Sequence, residues 1–336
     1  MLRTSRNEEI AEAQKRLSAP FYHTFSRVMV IFNPYAGKNA GISSFIKRIP
    51  GIPIRPIDIL KSSEQYKKKI KQYLEEYGIK AEISQSASAG DALRIARQCS
   101  ISGYDLVIAA GGDGTINAVI NGLAGSETVF GAIPLGTVNV FAIQLNLPLD
   151  LRSACELIAK GRVRKIDLGK AETQYFSCLA GIGFDAYVIA TADSRLKKIA
   201  GAGAYILNGL INLIRYRFHT IHLSIDSQPV KHSGYIVIIG NGRFYSNNLI
   251  ISPQAEIDDG KLDVVIMKSR NIFHMIRYLW SLRKGNLTDL PDVEYYQGKE
   301  INIEKHGRHF IHLDGEYYGR TPVKITVEHS VLKVVC

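Results

Sequence analysis

Residues 104–125 read YDLVIAAGGDGTINAVINGLAG. A short apolar run, Leu106 to Ala110, stops at two glycines, an aspartate, a third glycine and a threonine; Ile116, Val119, Ile120 and Leu123 then recur at helical spacing. The pattern predicts a buried strand, a tight turn and a helix. Gly111, Gly112 and Gly114 permit close backbone approach. The turn collects backbone amides, the Thr115 hydroxyl and the positive end of a helix, which together suit a phosphate. Asp113 is the odd member, because a carboxylate repels a phosphate. Either it caps the helix of an ordinary turn, or a cation lies between the two charges. Mg2+ takes one or two carboxylates together with waters and phosphate oxygens. The second alternative therefore implies a magnesium nucleotide and phosphoryl transfer.

Working outward, RVMVIFNP supplies a buried strand at Val28–Phe32. A helix is expected over 64–77, with Tyr66, Ile70, Tyr73, Leu74 and Tyr77 on one stripe. KAEIS follows as a strand, Gly90-Asp91 opens a helix through Cys99, TVFGAIP is a strand, and Leu151–Lys160 is a helix. Strand and helix alternate over 28–162, the pattern of a doubly wound α/β nucleotide-binding domain. Ligands bind such sheets beyond the carboxyl ends of the strands. The loops NPYAGK, GGDGT and PLGT all lie there.

From about residue 163 short strand candidates crowd together: VRKIDLGKA, YFSCLAGIG, TIHLSID, GYIVIIGN, KLDVVIMK, EINIEKH, HFIHLD and VKITVEH. They predict a C-terminal antiparallel β-sandwich-like domain, interrupted by helical patterns near 185–217 and 270–284. The expected organisation is an arm over 1–26, the α/β domain over 27–162 and a β-rich, lipid-binding domain over 163–336, its last strand a candidate to return to the first domain. The active site is expected in the cleft between the two.

The chain has 336 residues, 46% of them hydrophobic, and a net charge of +11. That composition supports a sizeable core and a surface that favours anionic partners. No aromatic-basic stacking motif or recognition-helix signature points to nucleic acid. Cys99, Cys155, Cys178 and Cys336 form no CxxC pair, so neither a zinc ribbon nor a disulfide framework is expected, which fits a reducing cytosol. The first twenty residues lack the apolar core of a secretory signal, and no apolar run reaches the ~18 residues of a membrane span. Any membrane contact is then peripheral.

The ordered motifs NPYAGK, SASAGDA, GGDGTINAVINGL, IPLGTVN, KIDLGK, AEIDDGKLDV and LDGE resemble the diacylglycerol kinase catalytic-domain family of bacterial-type lipid kinases, relatives of sphingosine and ceramide kinases. The resemblance runs from about Val28 over nine-tenths of the chain. GGDGT alone is shared with NAD kinases and phosphofructokinases; NPxxGK before it, GTxN after it and a late DGE discriminate. The resemblance implies that Asn33, Pro34, Tyr35, Ala36 and Gly37 form the first nucleotide loop and that Ser86 offers a hydroxyl to the nucleotide. Gly111, Gly112, Asp113, Gly114, Thr115, Ile116 and Asn117 would hold ATP phosphates and magnesium, with Thr137 in the third loop. It further implies that Asp167 partners Asp113 and Thr137 around the catalytic Mg2+. Glu316 would be the general base. Asp259, with the carbonyls of Glu256 and Lys261, would hold a second, structural magnesium. One position departs: family members often carry Asp after GTxN, where this chain has Val140.

The residues also read more plainly. Asp314-Gly315 is a hairpin-turn signal, so Glu316 is also readable as an ordinary strand residue. Asp258-Asp259-Gly260 is a turn by composition, and Asp167 a strand-end carboxylate. His306, His309 and His312 tempt a metal reading, but spacing of three puts successive members on opposite faces of a strand. Lys67-Lys68-Lys69 reads as a solvated helix face. Arg195, Lys197, Lys198, Arg215 and Arg217 flank an apolar helical stretch that either packs on the core or touches anionic membrane at the cleft lip. IFHMIRYLWSLRKG offers the same choice, with Ile272, Met275, Ile276 and Leu279 as its stripe.

The expected activity is transfer of the γ-phosphoryl of Mg-ATP to a lipid hydroxyl, diacylglycerol foremost, at the cytoplasmic membrane surface. A sphingoid base, ceramide, phosphatidylglycerol or a soluble acceptor such as NAD remain alternatives, as does a non-catalytic lipid- or nucleotide-binding module. A homodimer is left open.

Overall fold

The structure, a computed structural model, describes residues 25–34, 63–191, 216–226, 228, 231–246, 249–304 and 308–336. Four strands open the fold: β1 (Val28–Phe32), β2 (Ala81–Gln85), β3 (Leu106–Gly111) and β4 (Val129–Pro134). They lie parallel in the order β2-β1-β3-β4. The helices are α1 (Ser63–Glu76), α2 (Ala89–Ile101), α3 (Asp113–Leu123), α4 (Val140–Gln144) and α5 (Leu151–Lys160).

The continuous apolar runs follow from burial on both faces. In β1, Met29 and Ile31 join a core with Ala92, Ala96, Val119, Ile120 and Leu123 of α2 and α3. Val28, Val30 and Phe32 alternate into a second core with Ile70, Leu74, Ala154 and Ile158 of α1 and α5. Side-chain caps set two helix starts: Ser88 Oγ accepts the Asp91 amide at 3.1 Å, and the Asp150 carboxylate accepts the Ser153 amide at 2.9 Å.

The second half contributes β5 (Val163–Ala171), β6 (Gln174–Phe176), β7 (Leu179–Gly183), α6 (Phe184–Thr191), β8 (Ile221–Ile225), β9 (His232–Gly234) and β10 (Ile236–Gly240). After these come β11 (Phe244–Ser246), β12 (Leu249–Ile250), β13 (Leu262–Met267), α7 (Ile272–Lys284), β14 (Val293–Gly298), β15 (Glu300–Ile303), β16 (Phe310–Leu313), β17 (Glu316–Arg320) and β18 (Val323–Val335). Six strands form an antiparallel sheet, β14-β13-β10-β7-β16-β17.

The two halves share a strand. β18 runs parallel to β4 at Val334–Phe130 and antiparallel to β5 and β15. The first sheet thus continues through β18, β15, β8 and β9 to ten strands, counting β5 and β6. Its far end forms one leaf of the sandwich: Leu223, Ile301 and Ile325 pack against Ile182, Val237, Val264 and Ile311 of the six-stranded sheet. The expected α/β plus β architecture is present, with one leaf of the sandwich continuous with the parallel sheet.

β18 is interrupted by a bulge between Glu328 and Leu332, where Ser330 has φ +54. Asp167 of β5, fully buried, fills it. Its Oδ1 accepts the Ser330 amide at 2.6 Å and lies 2.8 Å from His329 Nδ1, and its Oδ2 accepts the Gly260 amide at 2.6 Å.

Several expectations shift. YFSCLAGIG is two strands, β6 and β7, which belong to different sheets and part at Ser177–Cys178. β14 and β17 escaped reading because VEYYQG and EYYGR lack an apolar run. The pattern over 185–217 begins as α6; residues 192–215, with Arg195, Lys197, Lys198 and Arg215, lie outside the described residues. In α7 the buried side chains are Met275, Tyr278, Ser281 and Leu282, whereas Ile276 and Leu279 face solvent. Among the described residues no helix is long and apolar enough to cross a membrane, and all four cysteines are free thiols.

Helices α2 and α3 pack closely at Gly122 of α3, where a Cβ would lie 2.5 Å from the Ala96 Cβ and 2.8 Å from the Leu93 carbonyl oxygen. Gly122→Val must push α2 away, and is expected to lower unfolding free energy by about 1–3 kcal/mol in a denaturant titration. An unchanged midpoint would contradict this packing.

Candidate active site

Three loops at the carboxyl ends of β1, β3 and β4 brace one another. Asn33 Nδ2 donates to Thr115 Oγ1 at 2.9 Å, joining the first loop to the GGDGT turn. The Asp113 carboxylate accepts the amides of Asn139 at 2.9 Å and Val140 at 2.8 Å, joining that turn to the GTVN loop. Gly112 and Gly136 meet backbone to backbone: a Cβ on Gly136 would lie 2.7 Å from the Gly112 Cα. Asn139 holds its left-handed φ of +56 by accepting the Gly136 amide at 2.9 Å and donating to the Gly136 carbonyl at 3.1 Å. The positive end of α3 opens at this junction, with Gly112 as its N-cap. Asp113 therefore does act as a capping carboxylate, but for the neighbouring loop.

The second half presents the β16–β17 hairpin to this cradle. Its turn is Asp314-Gly315, both in the left-handed region (φ +46 and +81). The Asp314 carboxylate accepts three amides, Ser177 at 2.7 Å, Cys178 at 2.9 Å and Leu179 at 2.9 Å, and the Ser177 hydroxyl at 3.0 Å. This latch occupies the break between β6 and β7. Glu316 follows directly. Its Oε1 sits where a Gly114 side chain would begin, 2.6 Å from an ideal Cβ there. The structure thus brings Glu316, from the end of the chain, onto the last glycine of GGDGT.

A cavity of about 280 Å³ lies beside these groups. Asp113, Asn117, Ser177, His312 and Asp314 form its polar wall; Ile116, Val138, Val140, Phe141, Leu179 and Ile189 form its apolar wall. His312, which the sequence offers only as a metal ligand set aside on spacing, is buried in this wall. Its Nδ1 accepts the Gly315 amide at 3.2 Å, so Nε2 carries the hydrogen it donates to Asp185 Oδ2 at 2.9 Å. A Cβ on Gly181 would collide with both side chains. Nothing in sequence periodicity joins His312 to Asp185, which lie 127 positions apart.

Other expected site residues fall differently. Ser86 is buried, and its hydroxyl lies 3.5 Å from the Phe32 carbonyl oxygen at the end of β1. Thr115, Ile116 and Asn117 are buried in the first turn of α3, and Thr137 is half-buried. Pro34 closes β1; Tyr35, Ala36 and Gly37 lie outside the described residues. Asp167 serves the β18 bulge and does not line the cavity. Around the expected second magnesium, Asp259 Oδ1 accepts the Lys261 amide at 2.9 Å, while the Glu256 and Lys261 side chains are exposed. The turn is tied to β5 through the Gly260 amide on Asp167 and through Arg164, 2.7 Å from Asp258. Among the described residues no three His, Cys, Asp or Glu side chains converge as a metal cage.

Two family models match most of the chain. The diacylglycerol kinase catalytic domain model matches residues 60–171, and the YegS C-terminal NAD kinase beta sandwich-like domain model matches 179–336. Diacylglycerol kinase of Staphylococcus saprophyticus is 30% identical over 298 residues, 88% of this chain and 90% of its own. The Staphylococcus epidermidis protein of the same name is 31% identical over 88% of this chain and 87% of its own. The chain belongs to the diacylglycerol kinase family. The crystal structure of a candidate diacylglycerol kinase from Bacillus anthracis, 26% identical, superposes with a TM-score of 0.72 over 93% of this chain and 97% of its own.

In this kinase-family site the carboxylates are crowded. Burial pushes the Asp113 pKa up, the amides of Asn139 and Val140 pull it back in part, and Asp314 raises it again. Asp314 is raised by burial despite its three amides. Glu316 keeps a solvent-facing side, yet burial against its neighbours, and then Asp314, lift it above the ordinary glutamate value. A carboxyl with a raised folded pKa keeps its proton where the unfolded chain has lost it. Folding stability therefore falls as pH rises from about 4.3 through the folded value, and the loss is complete above it. Glu316→Gln removes this cost. The variant is expected to melt about 1–2 °C above the parent at pH 7.5, with the gap closing towards pH 4. A variant less stable than the parent at every pH would show instead that the charge of Glu316 supports the fold.

Proposed function

We propose that this protein phosphorylates the hydroxyl of diacylglycerol with ATP and Mg2+, giving phosphatidic acid. The observation that carries the reading is the contact of Glu316 with Gly114. It sets a carboxylate with a raised pKa against a phosphate cradle at a helix N-terminus. The apolar cavity wall supports an acceptor with hydrocarbon next to its hydroxyl, and Val140 contributes apolar surface where relatives often place a second acid.

The amides at the start of α3 and the Thr115 and Asn33 side chains would hold the phosphates. Glu316 would accept the proton of the acceptor hydroxyl as its oxygen bonds to the γ-phosphorus. The bond to the bridging oxygen of the β-phosphate breaks, and ADP leaves with that electron pair. His312, held by Asp185 and Gly315, would fix the cavity floor next to Asp314. The residues fit a magnesium ion: burial lifts both the Asp113 and the Asp314 carboxyl, Asp314 adds negative charge around Asp113, and a cation relieves that crowding. When bound, the ion would neutralise phosphate charge. Asp113 and Asp314 would hold it with waters and phosphate oxygens, in keeping with the small number of carboxylates magnesium takes.

Labelled ATP offered with a panel of lipids in mixed micelles tests the reading. Label is expected in phosphatidic acid only, and only with Mg2+. Glu316→Gln should lower turnover about 10²–10⁴-fold while nucleotide binding persists. An active Glu316→Gln variant would remove Glu316 as base; label in another lipid or in NAD would reassign the acceptor. Gly114→Ala tests the geometry separately. The added methyl must displace the Glu316 carboxylate, so turnover is expected to drop at least ~10-fold with the melting temperature within about 2 °C of the parent. Full activity in Gly114→Ala would show that the contact is not needed.

A further inference from the structure

Helix α7 has two apolar faces. Met275, Tyr278 and Leu282 pack on the six-stranded sheet with Ile236, Ile238, Val265 and Met267. On the opposite side Phe273, Ile276, Leu279 and Trp280 are 75%, 49%, 61% and 62% exposed. At ~100° per residue these four fall within an arc of about 120°. Seven large hydrophobic side chains are exposed among the described residues, and four are on this one helix. Scattered exposed leucines need no explanation; a concentrated stripe does.

The stripe has a charged border of one sign. From Lys268 to Asn286 the chain carries Lys268, Arg270, Arg277, Arg283 and Lys284 and no carboxylate. Lys268 and Arg277 are answered by Glu294 and Asp292 from the neighbouring segment. Arg270, Arg283 and Lys284 are exposed at the two ends of the stripe, and the Lys284 ammonium lies 5.8 Å from the centre of the Trp280 ring. Aromatic and aliphatic groups on one helix face, bordered by basic residues, suit the interface of an anionic bilayer. Symmetric pairing of two copies on this face would set cation against cation, since the segment offers no acid in return.

The stripe is also coupled to the site. The inner face of α7 supports the β11–β12 hairpin: Tyr245 and Leu249 pack in the same cluster as Met275, Tyr278 and Leu282. Tyr245 and Ser246 line the cavity. We infer that the outer face of α7 is the membrane-docking surface, which lies on an anionic lipid bilayer and holds the cavity hairpin against it. The inference rests on the reading that the acceptor is a lipid, and it names the surface that meets it.

Trp280 is the sole tryptophan of the chain, so its emission reports on this face alone. The native protein is mixed with vesicles of phosphatidylglycerol and phosphatidylcholine, or of phosphatidylcholine only, neither containing diacylglycerol. A blue shift and quenching by brominated acyl chains are expected with the anionic vesicles, weakening in about 0.5 M salt. The double variant Phe273→Asp, Ile276→Asp should cosediment with them about 10-fold less, and Arg283→Glu with Lys284→Glu should lose the preference for anionic lipid. Both pairs are exposed, and unchanged melting temperatures would confirm intact folding. No shift with anionic vesicles, or a shift that both double variants retain, overturns the inference. So does Trp280 emission already blue before lipid is added in a dimer that the Phe273→Asp, Ile276→Asp variant dissociates. Phosphoryl transfer to a short-chain diacylglycerol in detergent separates the two readings. Transfer without vesicle binding removes the surface alone; vesicle binding without transfer removes the kinase reading and leaves the surface.

Discussion

One strand must join the parallel and antiparallel parts of a single sheet. Along one edge β18 pairs with β5 on both sides of a bulge, and along the other it passes from β15 to β4. The bulge at Ser330 absorbs the mismatch and frees a backbone amide inside the protein. An unpaired buried amide costs about 1–3 kcal/mol. Asp167 offsets this by accepting that amide, and with its other oxygen it fixes the turn at Gly260. The relative position of the three-loop cradle and the β16–β17 hairpin is therefore set by the ten-stranded sheet and by the six-stranded sheet packed on its far leaf. Glu316 can rest on Gly114 because the two walls of the cleft are parts of one framework.

The same region shows what stability alone would not select. Asp113, Asp314 and Glu316 are drawn together with their pKa values raised, mainly by burial. Each deep carboxylate is given amides rather than a basic side chain: two for Asp113 and three for Asp314. Amides hold a carboxylate in place without neutralising it. A lysine or arginine there would remove the repulsion and also the affinity for a cation. The arrangement is geometrically fixed and electrically unfinished, which is the state expected of a site completed by its substrate.

The sequence carried the first half of the fold well because its elements announce themselves. Short apolar runs ended by proline or glycine give β1, β3 and β4, helical stripes give α1 and α3, and Gly90-Asp91 marks the start of α2. The convergence of Asn33, Gly112–Thr115 and the GTVN loop follows from the rule that strand ends share one edge. What lay beyond reach depended on contacts distant in sequence. Nothing local tells that YFSCLAGIG breaks at Ser177 to receive Asp314, or that Asp167 turns towards Ser330 rather than the cavity. The orientation of α7 was also hidden. Both its faces are apolar, so hydrophobic spacing had two solutions, and only the packing of Met275 and Tyr278 on the sheet chose between them.

The shared strand has a consequence for how the protein is made. The nucleotide-binding half is formed mostly by residues before 163, yet β4 has no neighbour on its outer side until Val334 arrives. During synthesis the parallel sheet emerges early with an open edge, a template for pairing with the wrong chain. Closing it requires a contact spanning some two hundred positions, the kind that forms late because of the loop it must close. The outer edge of the parallel sheet thus stays open until β18 has been made.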